Sequence, residues 1–143
     1  MDLLINPPNK DTCDDATLRK YNDEVSRNFE ALKEKANLIY KKLNTIRNFK
    51  CNEIEGAMYA FPSITFPEKF IQEAKENNVE PDYYYCSKLL ETTGLLTVAG
   101  SGFGQKPGTY HFRITNLVSP KEKLSETLSK IEDFNNKLFN NKE

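Results

Sequence analysis

The chain has 143 residues, of which 38% are hydrophobic and 29% are charged, and its formal net charge is -1. This composition predicts one soluble domain with enough apolar side chains for a core. The near-zero charge gives no electrostatic reason to expect nucleic acid or an anionic membrane as a partner.

The opening run, Leu-Leu-Ile-Asn-Pro-Pro at 3–8, has a short apolar core and no basic start, so it predicts neither a secretory leader nor a membrane span. Three widely spaced cysteines, Cys13, Cys51 and Cys86, argue against a disulfide framework and fit reduced thiols. We therefore expect a cytoplasmic location, and an organellar matrix would fit the same thiols.

Residues 1–15 are expected to form an extended lead-in, because Pro7-Pro8 cannot enter a helix interior and the following aspartates suit turns and N-caps. A long helix is predicted over 16–47. Its apolar stripe recurs at steps of three and four, at Leu18, Tyr21, Val25, Phe29, Leu32, Ala36, Ile39, Leu43 and Ile46. The stripe is longer than a small domain needs, so part of it should pack on something outside this chain. A dimerising coiled coil is the alternative, although strict heptads are absent.

The rest of the chain, 48–143, is predicted to be one domain. Strands are expected at 49–51 and 57–64, with Pro62 marking an edge or an ending strand. Thr65 and Glu68 have capping-box spacing before a helix that ends near 77–78. A second helix is expected from an Asp82 cap to a Gly94 stop.

A short buried strand at 95–98, a glycine loop and a strand at 109–115 follow. Ser119 as N-cap, Pro120 at the first helical position and Glu122 three after the cap predict the last helix. Short connections between adjacent strands favour antiparallel pairing. The predicted fold class is therefore α+β, a small mostly antiparallel sheet covered by helices on one side.

The sequence does not match most of the motifs that indicate a ligand-binding or catalytic site. The glycine loop lacks the third glycine of a dinucleotide fingerprint, because position 105 is Gln105, and no Gly-Lys-Ser/Thr ends it as in a P-loop. A zinc site is not expected, since no Cys-x-x-Cys occurs and His111 is the only histidine. Spacing alone leaves a Cys-His nucleophilic pair open, without independent support.

The glycine loop at 100–104 and Arg113 are the candidate functional residues. The loop is either a tight turn that needs positive φ or a close approach of backbone to a ligand. Arg113 stands in an apolar strand with no carboxylate beside it in sequence. It is either an edge-strand residue that points to solvent or a cation whose anionic partner is distant in the fold or is a ligand. The residues of the loop are Gly100, Ser101, Gly102, Phe103 and Gly104.

Several segments, in order, resemble the fold-type I pyridoxal-phosphate aminotransferases. The run Cys-Asn-Glu-Ile-Glu-Gly-Ala-Met-Tyr at 51–59 is similar to the family's Gly-Ala-Met/Phe-Tyr strand. Pro-Asp at 81–82 with Leu-Leu-Glu-Thr-Thr-Gly at 89–94, then Val-Ala-Gly-Ser-Gly-Phe-Gly-Gln at 98–105 and Gly-Thr-Tyr-His-Phe-Arg-Ile-Thr at 108–115, resemble the alanine aminotransferase branch. The opening run resembles a segment before that branch's long interdomain helix. Ala99 departs from the family, which usually has proline there.

The resemblance implies that Arg113 grips the α-carboxylate of an amino-acid or 2-oxo-acid substrate, with Gly56 as a further substrate-binding residue. The glycine loop would shape the cleft mouth. In the family, alanine and 2-oxoglutarate give pyruvate and glutamate, pyridoxal phosphate sits on a large domain, and the full-length enzyme is expected to be a homodimer.

No Ser-Lys-Gly segment of the cofactor lysine occurs here, since Ser87-Lys88 and Ser129-Lys130 fall inside predicted helices. We therefore expect this chain to be a C-terminal part of such an enzyme, with no catalytic residue, no cofactor site, no metal site and no activity of its own. The alternatives are a free-standing carboxylate-binding module that dimerises through the long helix, and a purely structural association through that helix.

Overall fold

A computed structural model describes residues 5–140 of the chain. The first four and last three residues, which include the start of the expected lead-in, lie outside the described part. The chain divides into two compact units, one up to Glu34 and one from Lys35 onward. The expected division into lead-in, long helix and small domain stays a prediction.

The long helix, α1, spans Asp15–Leu43. Asp14 caps it, because its carboxylate oxygen accepts the backbone N–H of Thr17 at 2.7 Å. Its buried residues all lie in its last third: Lys35, Ala36, Ile39 and Leu43. Turns rather than helix follow Leu43 up to Asn48, whose φ of 70° ends the connection in the left-handed region.

In the part of the chain that the structure describes, five short strands confirm the α+β class. They are β1 (Phe49–Lys50), β2 (Tyr59–Ala60), β3 (Ser63–Ile64), β4 (Val98–Ala99) and β5 (Phe112–Thr115). β1 pairs with β3, and the other three form a second sheet in the order β2-β5-β4. Every one of these pairings is antiparallel.

The single strand expected over 57–64 is wrong, because the segment splits at Phe61-Pro62. Proline has no N–H to continue a ladder, and the carbonyl of Pro62 instead accepts the N–H of Phe112. The two halves therefore pair with different strands. The strand expected at 95–98 is also corrected: it covers only Val98–Ala99, and Val98 is 39% exposed rather than buried.

Residues 5–140 contain three further helices: α2 (Glu68–Glu76), α3 (Pro81–Thr93) and α4 (Lys121–Asn140). Their ends follow the sequence, because Asn77 closes α2 and Gly94 closes α3 at a left-handed φ of 74°.

Their predicted starts are wrong. Pro67 rather than Thr65 precedes α2 at the N-cap, without a side-chain bond. Glu80 occupies the N-cap of α3, so Asp82 lies inside its first turn. α4 begins one residue after Pro120, whose carbonyl accepts the N–H groups of Lys123 and Leu124.

One hydrophobic core joins the helices to both sheets. Tyr85 on α3 lies at its centre, within 6.5 Å of the ring centroids of Phe49, Phe66, Phe112 and Phe134. Leu124, Leu128 and Ile131 of α4 are fully buried against it. Within residues 5–140, no helix combines the length and apolar character that crossing a bilayer requires.

Candidate functional site

Arg113 lies in the middle of β5, which is the central strand of its sheet. The interpretation of Arg113 as an edge-strand residue is therefore wrong. Strand alternation explains its placement: Phe112 and Ile114 are buried in the core, while Arg113 and Thr115 are partly buried on the opposite face. Val98 on β4 stands directly opposite Arg113.

Two aromatic rings hold the Arg113 guanidinium. Its central carbon lies 4.4 Å from the ring centroid of Tyr59 and 5.1 Å from that of Phe103. Phe103 in turn makes an edge contact with Phe61, at 5.7 Å between centroids. A cation held over aromatic faces is stabilised and restricted in orientation. Among residues 5–140, no carboxylate forms an ion pair with Arg113.

A cleft of about 550 Å³ opens beside Arg113, within the size range of small-molecule sites. Its described lining includes a second cation, Lys123, the hydroxyl groups of Ser119 and Thr127, and no acidic side chain. Arg113 also borders a smaller depression of about 260 Å³ with Phe61 and Phe103. Both lining sets suit a ligand that carries a negative charge.

The glycine loop forms a 3₁₀ turn over Gly100–Phe103. Only Gly104 needs left-handed backbone, at φ 69°. Gly100 is needed for space, because a Cβ there would lie 2.8 Å from both the Cβ and the carbonyl oxygen of His111. Gly102 faces open space. The expected tight turn is thus correct for Gly104 alone, and the loop places Phe103 against Arg113.

The carboxylate of Asp82 fixes this loop, which sequence reasoning missed. Asp82 is 1% exposed, and its Oδ2 accepts the backbone N–H of Ser101 at 2.6 Å and the Nε2 of Gln105 at 2.8 Å. Its Oδ1 accepts the N–H of Tyr83 in the first turn of α3, where the helix dipole favours negative charge.

His111 is the third side chain of the hydrogen-bond network that Asp82 and Gln105 form. Its Nδ1 lies 2.9 Å from Oε1 of Gln105, and its ring stacks on Phe61 at 5.0 Å between centroids. In the sequence, only the single histidine and a glutamine in the place of a glycine indicate this arrangement.

Gly56 lies outside this set of contacts. It is exposed, and no heavy atom stands within 4 Å of the position of a Cβ. The segment after it is tied to the end of β5, because Asn116 donates its backbone N–H to Met58 at 3.0 Å. The substrate-binding role of Gly56 stays a prediction.

Cys51 and Cys86 do not provide a nucleophilic thiol in the part of the chain that the structure describes. Burial raises the pKa of the Cys86 thiol to about 11 and also raises the pKa of Cys51. Both thiols therefore stay protonated near neutral pH and are poor nucleophiles. Cys86 is a core residue.

Known proteins resemble nearly the whole chain. It is 47% identical over 138 residues to an alanine aminotransferase 2-like protein of Danio rerio, a match that covers 96% of this chain and 24% of the relative. A probable mitochondrial alanine aminotransferase of Dictyostelium discoideum is 42% identical over 140 residues, covering 98% of this chain and 26% of that protein. No protein-family model matches.

The solved structure of an alanine aminotransferase from Pyrococcus furiosus superposes with a TM-score of 0.65 at 32% identity, over 80% of this chain and 26% of that one. The fold is thus that of a segment of the fold-type I aminotransferases. Within this class, the relatives that match nearly the whole chain are alanine aminotransferases. It spans about a quarter of the length of the curated relatives it matches.

Aminotransferases of this class depend on pyridoxal phosphate. The described residues do not fit that group by themselves, because no acidic side chain lines the cleft to face a pyridine nitrogen. The cleft also offers Lys123 only on its rim, as an exposed side chain. No catalytic step through the cofactor is therefore assigned to this chain.

Proposed function

We propose that this chain is the C-terminal, small-domain part of an alanine aminotransferase and that Arg113 binds the α-carboxylate of its amino-acid or 2-oxo-acid substrate. The observation that carries the proposal is a guanidinium held between Tyr59 and Phe103, with no carboxylate ion pair among residues 5–140. The N–H groups of a guanidinium held in this way are available to donate hydrogen bonds to an external anion.

The chemistry favours arginine over lysine at this position. A planar guanidinium can donate two parallel hydrogen bonds to one carboxylate, whereas an ammonium acts as a point charge. Such a charge-assisted contact contributes roughly 1.5–3 kcal/mol and orients the α-carbon of the substrate. The glycine loop and the segment at Gly56 would form the movable wall of the cleft.

The parent enzyme would convert L-alanine and 2-oxoglutarate into pyruvate and L-glutamate. Its pyridoxal phosphate and Schiff-base lysine would lie on a large domain outside this chain, and the full-length form would be a homodimer. We expect the 143-residue chain to be inactive by itself, because it holds only the carboxylate-binding part of the cleft.

Titration of the isolated chain with 2-oxoglutarate, followed by the NMR signals of the arginine side chains, tests the role of Arg113. One charge-assisted pair supports only millimolar or weaker affinity, and we expect Arg113→Lys to abolish it. Arg19→Lys, on an exposed face of α1, is the matched control. Equal binding by the wild type and Arg113→Lys would disprove the assignment.

Two further measurements test whether the cofactor site and the catalytic activity lie outside this chain. With added pyridoxal phosphate, the chain should give no lysine adduct after borohydride reduction and no transamination of alanine with 2-oxoglutarate. Either activity would overturn the proposal of an incomplete site. Tight binding of 2-oxoglutarate that depends on Arg113 would instead favour a free-standing carboxylate-binding module.

A further inference from the structure

We propose that Asp82, Gln105 and His111 form a directional hydrogen-bond latch that locks the glycine loop onto α3 and, through Phe103, positions Arg113. Asp82 and Gln105 are then positioning residues that do not touch the substrate. This inference rests on the proposed role of Arg113 only for its functional meaning, since the latch itself is a property of the chain.

The direction of the latch follows from the chemistry of its first member. The Asp82 carboxylate can only accept hydrogen bonds, so the group of Gln105 that faces it at 2.8 Å must be the amide nitrogen. The other end of the same amide, Oε1, therefore faces His111 at 2.9 Å. An amide oxygen can only accept, so Nδ1 of His111 must carry a proton.

The latch therefore predicts the tautomer of a neutral histidine. With Nδ1 protonated, Nε2 of His111 is the acceptor, the reverse of the tautomer that a free imidazole side chain prefers. Asp82 determines this state without touching the ring, because it orients the amide that lies between them. A contact that served only to fill space would impose no such polarity.

The geometry of the loop links the latch to Arg113. Ser101, which donates to Asp82 at 2.6 Å, lies two residues before Phe103, whose ring contacts Arg113. From the other side, the ring of His111 stacks on Phe61, which makes an edge contact with Phe103. The loop is therefore held at Ser101 by Asp82 and at Phe103 by Phe61. Its release would loosen Phe103, one of the two rings around the guanidinium of Arg113.

Nitrogen NMR of the imidazole tests the latch directly, because His111 is the only histidine of the chain. The spectrum is recorded at about pH 8.5, above the ordinary titration range of histidine. We expect the Nδ1–H form in the wild type and a shift to mainly Nε2–H in Asp82→Ala, where the Gln105 amide can turn over. Gln105→Leu should give the same shift through loss of the acceptor.

Hydrogen exchange of the Ser101 amide gives a second measurement. Loss of a charge-assisted bond should speed this exchange about tenfold or more in Asp82→Ala. Asp133→Ala removes an exposed carboxylate on α4 and should leave both the tautomer and the exchange rate unchanged. Asp82→Asn keeps an acceptor for Ser101 and should retain the Nδ1–H form.

An Nε2–H tautomer in the wild type would overturn the latch, as would an Nδ1–H tautomer that persists in both Asp82→Ala and Gln105→Leu. If Asp82→Ala does not fold, Gln105→Leu and Asp82→Asn decide the question. None of these results depends on carboxylate binding. Failure of the latch therefore leaves the role of Arg113 standing, and failure of Arg113→Lys to weaken 2-oxoglutarate binding leaves the latch standing.

Discussion

At the scale of single residues, Gly100 is the position of the loop with the least freedom to change. Its backbone N–H donates to the carbonyl of His111 at 2.8 Å, and Oε1 of Gln105, the atom that faces His111, lies close to the position that a Cβ would take. A methyl group would enter the space that Gln105 and His111 occupy. Gly100 is thus required by a close approach, not by an unusual φ.

We expect Gly100→Ala to lower the free energy of unfolding by about 1–3 kcal/mol, because overpacking forces backbone and side chains to shift. Gly102→Ala is the matched control in the same turn. It meets no atom within 4 Å, so its effect should stay within about 0.5 kcal/mol. Urea denaturation of both variants measures the difference between their free energies of unfolding. Equal stabilities would show that the loop accommodates a methyl group at Gly100 without a loss of stability.

At the scale of elements, the start of α1 depends on the charge of Asp14. The backbone N–H of Thr17 and then its side chain donate to the carboxylate and lower the pKa of Asp14 below its ordinary 3.8. A lowered pKa in the folded state means that the ionised group stabilises the helix start. This contribution is complete above the unfolded pKa and is lost as the pH falls through the folded value.

We therefore expect the first turn of α1 to fray in acid, seen as faster hydrogen exchange and shifted NMR signals at Thr17 below about pH 3.8. Asp14→Asn should keep a cap, since asparagine caps about as well as aspartate, while abolishing the pH dependence at Thr17. Asp14→Ala should fray at every pH. A transition at Thr17 that persists in Asp14→Asn would assign it to another group.

The sequence predicted which elements exist better than where they begin. Helix ends at Asn77 and Gly94 were predictable because a polar or glycine C-cap is a local signal. The starts of α2 and α3 were not, because several residues near each start could serve as caps and tertiary contacts chose among them. Asp82 is the plainest case: a residue with good cap chemistry is used to hold a loop from the first turn of α3.

The residues of the candidate site differ in the same way, because some could be predicted from the local sequence and others could not. Arg113 could be found because an isolated arginine between apolar residues is visible in the sequence, and the family resemblance suggested the role that is proposed for it. Asp82 and Gln105 could not, because they stand 23 positions apart and meet only in the folded chain. The rings of Tyr59 and Phe61 were missed for a similar reason: they meet Arg113 and Phe103 only in the folded chain.

At the scale of the whole molecule, apolar groups are exposed on the helix and on the sheet. Val25 and Phe29 of α1 are 48% and 64% exposed, and Tyr59 and Phe103 at the cleft are 44% and 51% exposed. Exposed apolar patches of this kind mark surfaces that bind other proteins or ligands. Val25 and Phe29 belong to the apolar stripe of α1, part of which the sequence predicted to pack on something outside this chain.

The variant Phe29→Asp tests whether the exposed face of α1 mediates self-association without contributing to folding. We expect the wild type to self-associate with rising concentration in sedimentation velocity, because Val25 and Phe29 of α1 are exposed, and we expect Phe29→Asp to remain monomeric. Its unfolding free energy should change by less than about 0.5 kcal/mol, as for other exposed sites. Ile39→Asp, on the same helix but fully buried, should instead lose several kcal/mol by placing a charge in the core. Arg113→Ala should alter neither property, so association that depends on Arg113 and not on Phe29 would move the contact from the helix to the cleft.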